Sequence, residues 1–204
     1  MPDSLDKLSR YFAKLPGIGP RQARRFVYAL LREDKDMVRE FGRLISELPG
    51  SVKTCPECYL FHSDKSDICR YCRDDARDNT TLMILEKDVD VAPIEKTGWR
   101  GRYFFLGGNA PLTSEQLPRA KELIETLHKK KSLGLSEIIL GFSATPEGEH
   151  AADLARALIR DALSGEHAIH VSLLGRGLSF GAELEYADTS TIAEAIEKRK
   201  DIFS

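Results

Sequence analysis

The sequence predicts a multidomain α plus α/β protein, in which a short helical arm, a small four-cysteine module and a longer, mostly parallel α/β sheet follow one another. Three observations carry that prediction. All four cysteines are gathered in Cys55-Pro56-Glu57-Cys58 and Cys69-Arg70-Tyr71-Cys72. Before them, apolar residues recur at the three- and four-residue steps of amphipathic helices. From Thr80 onward, short aliphatic blocks alternate with helix-like stretches, the pattern of buried parallel strands joined by helical crossovers.

With 204 residues, 42% hydrophobic and 30% charged, the chain can build one ordinary core and a smaller appendage. Its amino terminus has no basic segment leading into an apolar stretch, and no apolar run reaches the ~20 residues that span a bilayer. The expected compartment is the cytoplasm, where thiols stay reduced. Charge is unevenly spread. Residues 1–54 hold eleven Lys and Arg against seven Asp and Glu, a balance of +4, which leaves −6 for residues 55–204 in a total of −2. A basic arm on an acidic body suits local contact with a polyanion.

In chain order, Leu5, Leu8, Tyr11, Phe12 and Leu15 make residues 4–14 an amphipathic helix with Ser4 as the expected N-cap. Leu15-Pro16-Gly17-Ile18-Gly19-Pro20 stops it, and Pro20 suits the first turn of a second helix running to about Leu31. Gly17 and Gly19 let backbone N–H groups approach a phosphate beside a helix N-terminus, while Leu15 and Ile18 are expected to point inward. Arg21, Arg24 and Arg25 follow at once, with Arg21 and Arg25 four residues apart on one face. This arrangement suits DNA-backbone contact without base reading. The competing view is a helical pair that only packs, with solvated arginines. A third helix near residues 36–48 carries Val38, Phe41, Leu44, Ile45 and Leu48 on one face, which is expected to be core.

Two C-x-x-C knuckles ten residues apart can supply four thiolates to one tetrahedral, closed zinc site. A disulfide framework or a redox pair fits the compartment and the duplication less well. His62, in the intervening insert, is a conceivable substitute ligand but is expected at the surface. Beyond Thr80, strands are expected at residues 82–85, 102–106, 137–141 and 169–173, with helices at 117–131 and 150–163. Functional groups of such sheets gather at the carboxyl ends of the strands. Glu86 follows the first strand, and Ser143-Ala144-Thr145-Pro146-Glu147-Gly148-Glu149 follows the third.

The hairpin motif, the four cysteines, Asp88-Val89 leading to Ile94–Gly98, Thr145–Glu149 and Gly181–Asp188 occur in the order seen in the bacterial recombination mediator family RecR, which this chain resembles over nearly its whole length. The resemblance implies a helix-hairpin-helix DNA-binding arm (1–53), a C4 zinc finger (54–78), a Toprim domain (79–174) and a carboxy-terminal assembly segment (175–204). It implies DNA contact by Arg21 and Arg25, beside which the hairpin chemistry makes Gly17, Gly19 and Arg24 candidates. Cys55, Cys58, Cys69 and Cys72 would hold one structural zinc ion, and Glu86, Glu147 and Glu149 would contact a partner. It further implies a ring-shaped homo-oligomer that works with RecO, and in many bacteria RecF, to load RecA on single-stranded DNA coated by single-strand-binding protein. In catalytic Toprim domains, which are similar in layout, two aspartates stand where this chain has Ser143 and Thr145. Metal-assisted chemistry at phosphodiesters leans on such carboxylates. A non-enzymatic mediator is therefore expected, with a metal-dependent nuclease or topoisomerase, or a purely structural adaptor, as the alternatives.

Overall fold

In the computed structural model of the chain, the described residues are 3–108, 113–163, 169–175, 178, 181 and 183–197. They form two compact units, residues 1–52 and 53–204. The first is helical. Helix α1 (Ser4–Phe12) begins after Asp3, which occupies the N-cap position, so the expected cap Ser4 is already the first helical residue. The turn that follows needs a left-handed residue, and Gly17 supplies it at φ +77°. Helix α2 (Pro20–Leu30) starts with its proline in the first turn. The pair closes on Ala23 and Val27, both buried, and on the rings of Phe12 and Phe26, 5.6 Å apart and edge to face.

Helix α3 (Lys35–Ser51) departs from expectation in two ways. Its Asp34 cap accepts from the Asp36 N–H, and the helix runs through Pro49 instead of ending before it. Its apolar face is not core: Phe41, Leu44, Ile45 and Leu48 are 39–58% exposed, and no residue of α3 is buried. The physical reason is one of partnership. Helices α1 and α2 pack on each other, while the apolar face of α3 stays largely exposed.

In the second unit, short antiparallel strands β1 (Lys53–Thr54) and β2 (Phe61–His62) flank the first knuckle, and α4 (Arg70–Arg73) follows the third cysteine. The main sheet contains β3 (Thr81–Leu85), β4 (Arg102–Phe105), β5 (Glu137–Gly141) and β6 (His170–Leu173). Among the described residues its order is β4-β3-β5-β6, all parallel, with Leu82 opposite Ile138 and Arg102, and Ile138 opposite Val171. Helices α5 (Val91–Glu95), α6 (Ala120–Lys131) and α7 (Pro146–Ala162) provide the crossovers, and α8 (Thr189–Glu197) lies near the carboxyl end.

Strand alternation sends side chains to two opposite faces. Leu82, Ile84, Phe104, Ile138 and Leu140 pack with Leu123 and Leu127 of α6 and with Ala151, Ala155 and Ile159 of α7. Met83, Leu85, Tyr103 and Phe105 pack instead with Leu60, Val91 and the cysteines Cys55, Cys58 and Cys69. The cysteine module thus covers one face of the sheet much as a helix would. Burial on both faces explains why β3 reads as an unbroken aliphatic run. Within the expected assembly segment 175–204, residues 176–177, 179–180, 182 and 198–204 lie outside the described residues.

Candidate metal centre and nucleic-acid interface

The two knuckles bring the four Sγ atoms within 4.8 Å of one another. Cys58 and Cys69 sulfurs are 3.6 Å apart. Zinc–sulfur bonds of about 2.3 Å in a tetrahedron require sulfur separations of roughly 3.8 Å, so the set fits a zinc ion. Cys55, Cys58 and Cys69 are fully buried, and Cys72 is partly so. The backbone holds the cluster in shape: Tyr59 N–H donates to the Cys55 carbonyl, Arg73 N–H to that of Cys69, and Cys69 N–H to the Cys55 sulfur. Hydrogen bonds from the Cys58 thiol, then from Cys69 and Cys72, hold Cys55 below the ordinary thiol range. The same sharing with Cys55 pushes Cys58 up.

The module is tied directly to the sheet. Phe105 N–H, on edge strand β4, donates to the Cys58 carbonyl at 2.8 Å. Tyr59, the residue after Cys58, adopts a left-handed φ of 67°, which costs a non-glycine residue about 1–3 kcal/mol. Its ring packs on Phe104 at 5.3 Å, and its carbonyl accepts from Arg119, whose Nη1 also donates to the Phe105 carbonyl at 2.7 Å. A second tie is Arg77. Its buried guanidinium lies near the rings of Tyr71 and Tyr103, donates to Glu95 through one nitrogen at 2.5 and 2.6 Å, and reaches the Gly101 carbonyl. Tyr103 donates its hydroxyl to the same Glu95, and burial first, then that carboxylate, pushes the phenol up. Sequence reasoning missed Arg77 and Arg119 because their partners lie 14 to 60 residues away and no local spacing announces them.

His62 is not at the surface. It is buried with Nε2 on the Asp67 carbonyl and Nδ1 accepting from the Asp64 N–H, so both ring nitrogens serve the insert.

The three expected partner-contact glutamates occupy unlike surroundings. Glu86 is wholly buried, with Oε2 accepting from Ser143 N–H at 2.7 Å and Oε1 unpaired. It therefore presents no surface to a partner and holds the turn after β5 from beneath. Helix α7 begins at Pro146, not at His150 as expected, because Thr145 caps it by accepting from Gly148 N–H. Glu147 and Glu149 consequently sit in its first turn, where the helix dipole favours carboxylates, and not in an acidic loop. Glu149 is exposed and Glu147 partly buried. Among the described residues, the four cysteines are the one His, Cys, Asp and Glu group arranged to hold an ion.

On the arm, Gly17 and Gly19 have open space where a Cβ would project. Arg21, Arg24 and Arg25 are exposed, but Arg24 lies 3.8 Å from Asp6 of α1, so Arg21 and Arg25 define the outer face. Ile18 is partly buried as expected, whereas Leu15 remains half exposed.

Residues 5–48 match the helix-hairpin-helix family of RecR, residues 80–174 the Toprim domain family, and residues 177–200 the RecR C-terminal family. Recombination protein RecR of Myxococcus xanthus is 34% identical over 206 residues, covering 98% of this chain and 99% of that protein. The chain belongs to the RecR family. RecR of Chloroflexus aggregans is 34% identical over 96% of this chain and 93% of its own length. RecR of a Ruegeria species is 33% identical, with 97% and 96% covered. The helical arm, parallel sheet and cysteine cluster are accordingly those of a RecR-type recombination protein, and no helix among the described residues is long and apolar enough to cross a membrane.

Proposed function

We propose that this chain is a non-enzymatic, cytoplasmic recombination mediator that binds DNA without regard to sequence. It acts with RecO, and possibly RecF, to help load RecA on single-stranded DNA coated by single-strand-binding protein. The observation that carries the reading is the arm: a left-handed glycine turn opens a helix whose Arg21 and Arg25 stand exposed on one face, within a segment of balance +4. Exposed arginines beside a helix N-terminus can neutralise neighbouring phosphates of any sequence. A single arm of that charge binds modestly, and a ring of several copies would raise the effective affinity.

Cys55, Cys58, Cys69 and Cys72 would hold one structural zinc ion per chain, which when bound adds folding energy to a module too small for its own core. Glu147 and Glu149 at the start of α7 are the proposed contacts for a basic partner. Support for a binding role over catalysis lies in Ser143 and Thr145, neutral residues where catalytic Toprim domains carry two carboxylates, and the Thr145 hydroxyl is taken up in capping α7. The test is sedimentation and DNA binding by the pure protein across a salt series, with and without RecO. Salt-sensitive binding, a closed oligomer, and RecO association weakened by Glu147→Gln with Glu149→Gln are expected. Mg²⁺- or Mn²⁺-dependent DNA cutting that disappears in Glu86→Ala would contradict the proposal, as would a protein with no DNA affinity at low salt.

A further inference from the structure

We infer that Tyr28 makes the outer face of α2 a stacking platform for an unpaired base, so that the arm prefers single-stranded DNA over duplex; this rests on the DNA-binding reading of the arm. Tyr28 lies seven residues after Arg21 and three after Arg25. At 100° per residue, Tyr28 stands within ~60° of both around the helix. The buried stripe is elsewhere, on Ala23 and Val27. Tyr28 is 54% exposed.

The other aromatic residues of the α1–α2 pair have ring or cation partners, although Tyr11 stays 68% exposed. Phe12 and Phe26 pack on each other inside the hairpin, and Tyr11 carries the Lys14 ammonium 5.3 Å from its ring centre. No described ring or cation is stacked on Tyr28. Contact with duplex phosphates needs arginines and backbone N–H groups but no exposed ring, since the bases of a duplex are stacked among themselves. A ring set between phosphate-binding arginines is instead what proteins use to hold successive unpaired bases, and it is tolerant of sequence because every base has a π-face. Charge selects the occupant: two exposed arginines on the same helix face as the ring favour a polyanion over an apolar protein surface. Leu31, 63% exposed beside Tyr28, keeps a protein interface as the contrary outcome.

The experiment uses the full chain and three labelled probes of equal length: a thymidine oligonucleotide, an abasic phosphodiester strand and a duplex. Wild type is expected to bind the thymidine strand most tightly. Tyr28→Ala should lose about 5- to 100-fold on that strand alone, while Tyr28→Phe retains wild-type binding. Arg21→Ala with Arg25→Ala should weaken all three probes; if it weakens none, the arm reading itself fails. If the arginine variant loses binding but Tyr28→Ala does not, or loses equally on all three probes, stacking is overturned. A changed oligomer size for Tyr28→Ala in sedimentation assigns the ring to an interface between copies and likewise overturns it.

Discussion

Substituting Gly148 by alanine tests whether the turn between β5 and α7 is locked by backbone contact. A Cβ at position 148 would stand 2.1 Å from the Ser143 carbonyl oxygen, 2.9 Å from its carbon and 3.1 Å from its nitrogen. Non-bonded carbons normally sit about 3.5–4.0 Å from their neighbours, so the shortfall at the oxygen is roughly 1.5 Å. No rotamer change relieves it, because all three obstacles are backbone. Overpacking of this kind costs about 1–3 kcal/mol. Moving Ser143 also breaks its N–H bond to Glu86 and leaves both oxygens of a buried carboxylate unpaired, for about 1–3 kcal/mol more. A loss of about 4 kcal/mol, in the middle of the summed range, lowers the unfolding midpoint by roughly 8–16 °C in a chain of this size. Differential scanning calorimetry reads it directly. The internal contrast is Gly42→Ala in α3, where nothing lies within 4 Å of the added Cβ and the helix gains about 0.5–1 kcal/mol. A Gly148→Ala midpoint within 3 °C of wild type would refute the packing argument.

Cys58→Ser should abolish stoichiometric zinc and, because Cys58 lies against Phe105 and its neighbours, sharply lower thermal stability; metal analysis with calorimetry checks both, and a variant of normal midpoint and oligomer size would sink the scaffold role. Arg77→Met keeps the apolar stem but removes the charged hydrogen bonds to the partly buried Glu95, for an expected loss of about 1.5–3 kcal/mol by chemical denaturation; a loss under 1 kcal/mol would show that the pair is dispensable. Asp78 is held below its ordinary 3.8 by the Thr80 hydroxyl first, then the Thr80 N–H and the Thr81 hydroxyl. A depressed carboxylate stabilises the fold above its unfolded-state pKa and loses that contribution as pH falls through the folded value. Asp78→Asn should therefore flatten the stability profile below about pH 4, and an unchanged acid limb would contradict this.

The parts of the fold that sequence revealed are those with local causes. Strand β5 is bounded at Glu137 and Gly141 because an aliphatic run between polar flanks is legible without knowing its neighbours. The cysteine cluster is legible because ligand spacing is itself the signal. The start of α7 has a local signal too, since Thr145-Pro146 is a cap followed by a first-turn proline, and the helix begins there, four residues before the expected His150. Periodicity showed that α3 has an apolar face, but not what would cover it. Glu86 illustrates the same limit at a strand end, where the residue type fits surface contact and the side chain turns inward to Ser143. The Arg77–Glu95–Tyr103 group was beyond reach, since it exists only once α5 and β4 come together.

The central claim, that the arm grips DNA through Arg21 and Arg25, is tested most directly by the salt dependence of binding. Each phosphate contact contributes about 0.9 to the log–log slope on duplex and about 0.7 on a single strand. Arg21→Ala with Arg25→Ala should therefore reduce the slope by about 1.8 on duplex and about 1.4 on a single strand, and weaken binding to every sequence alike. A double variant with the wild-type slope and affinity would contradict the account.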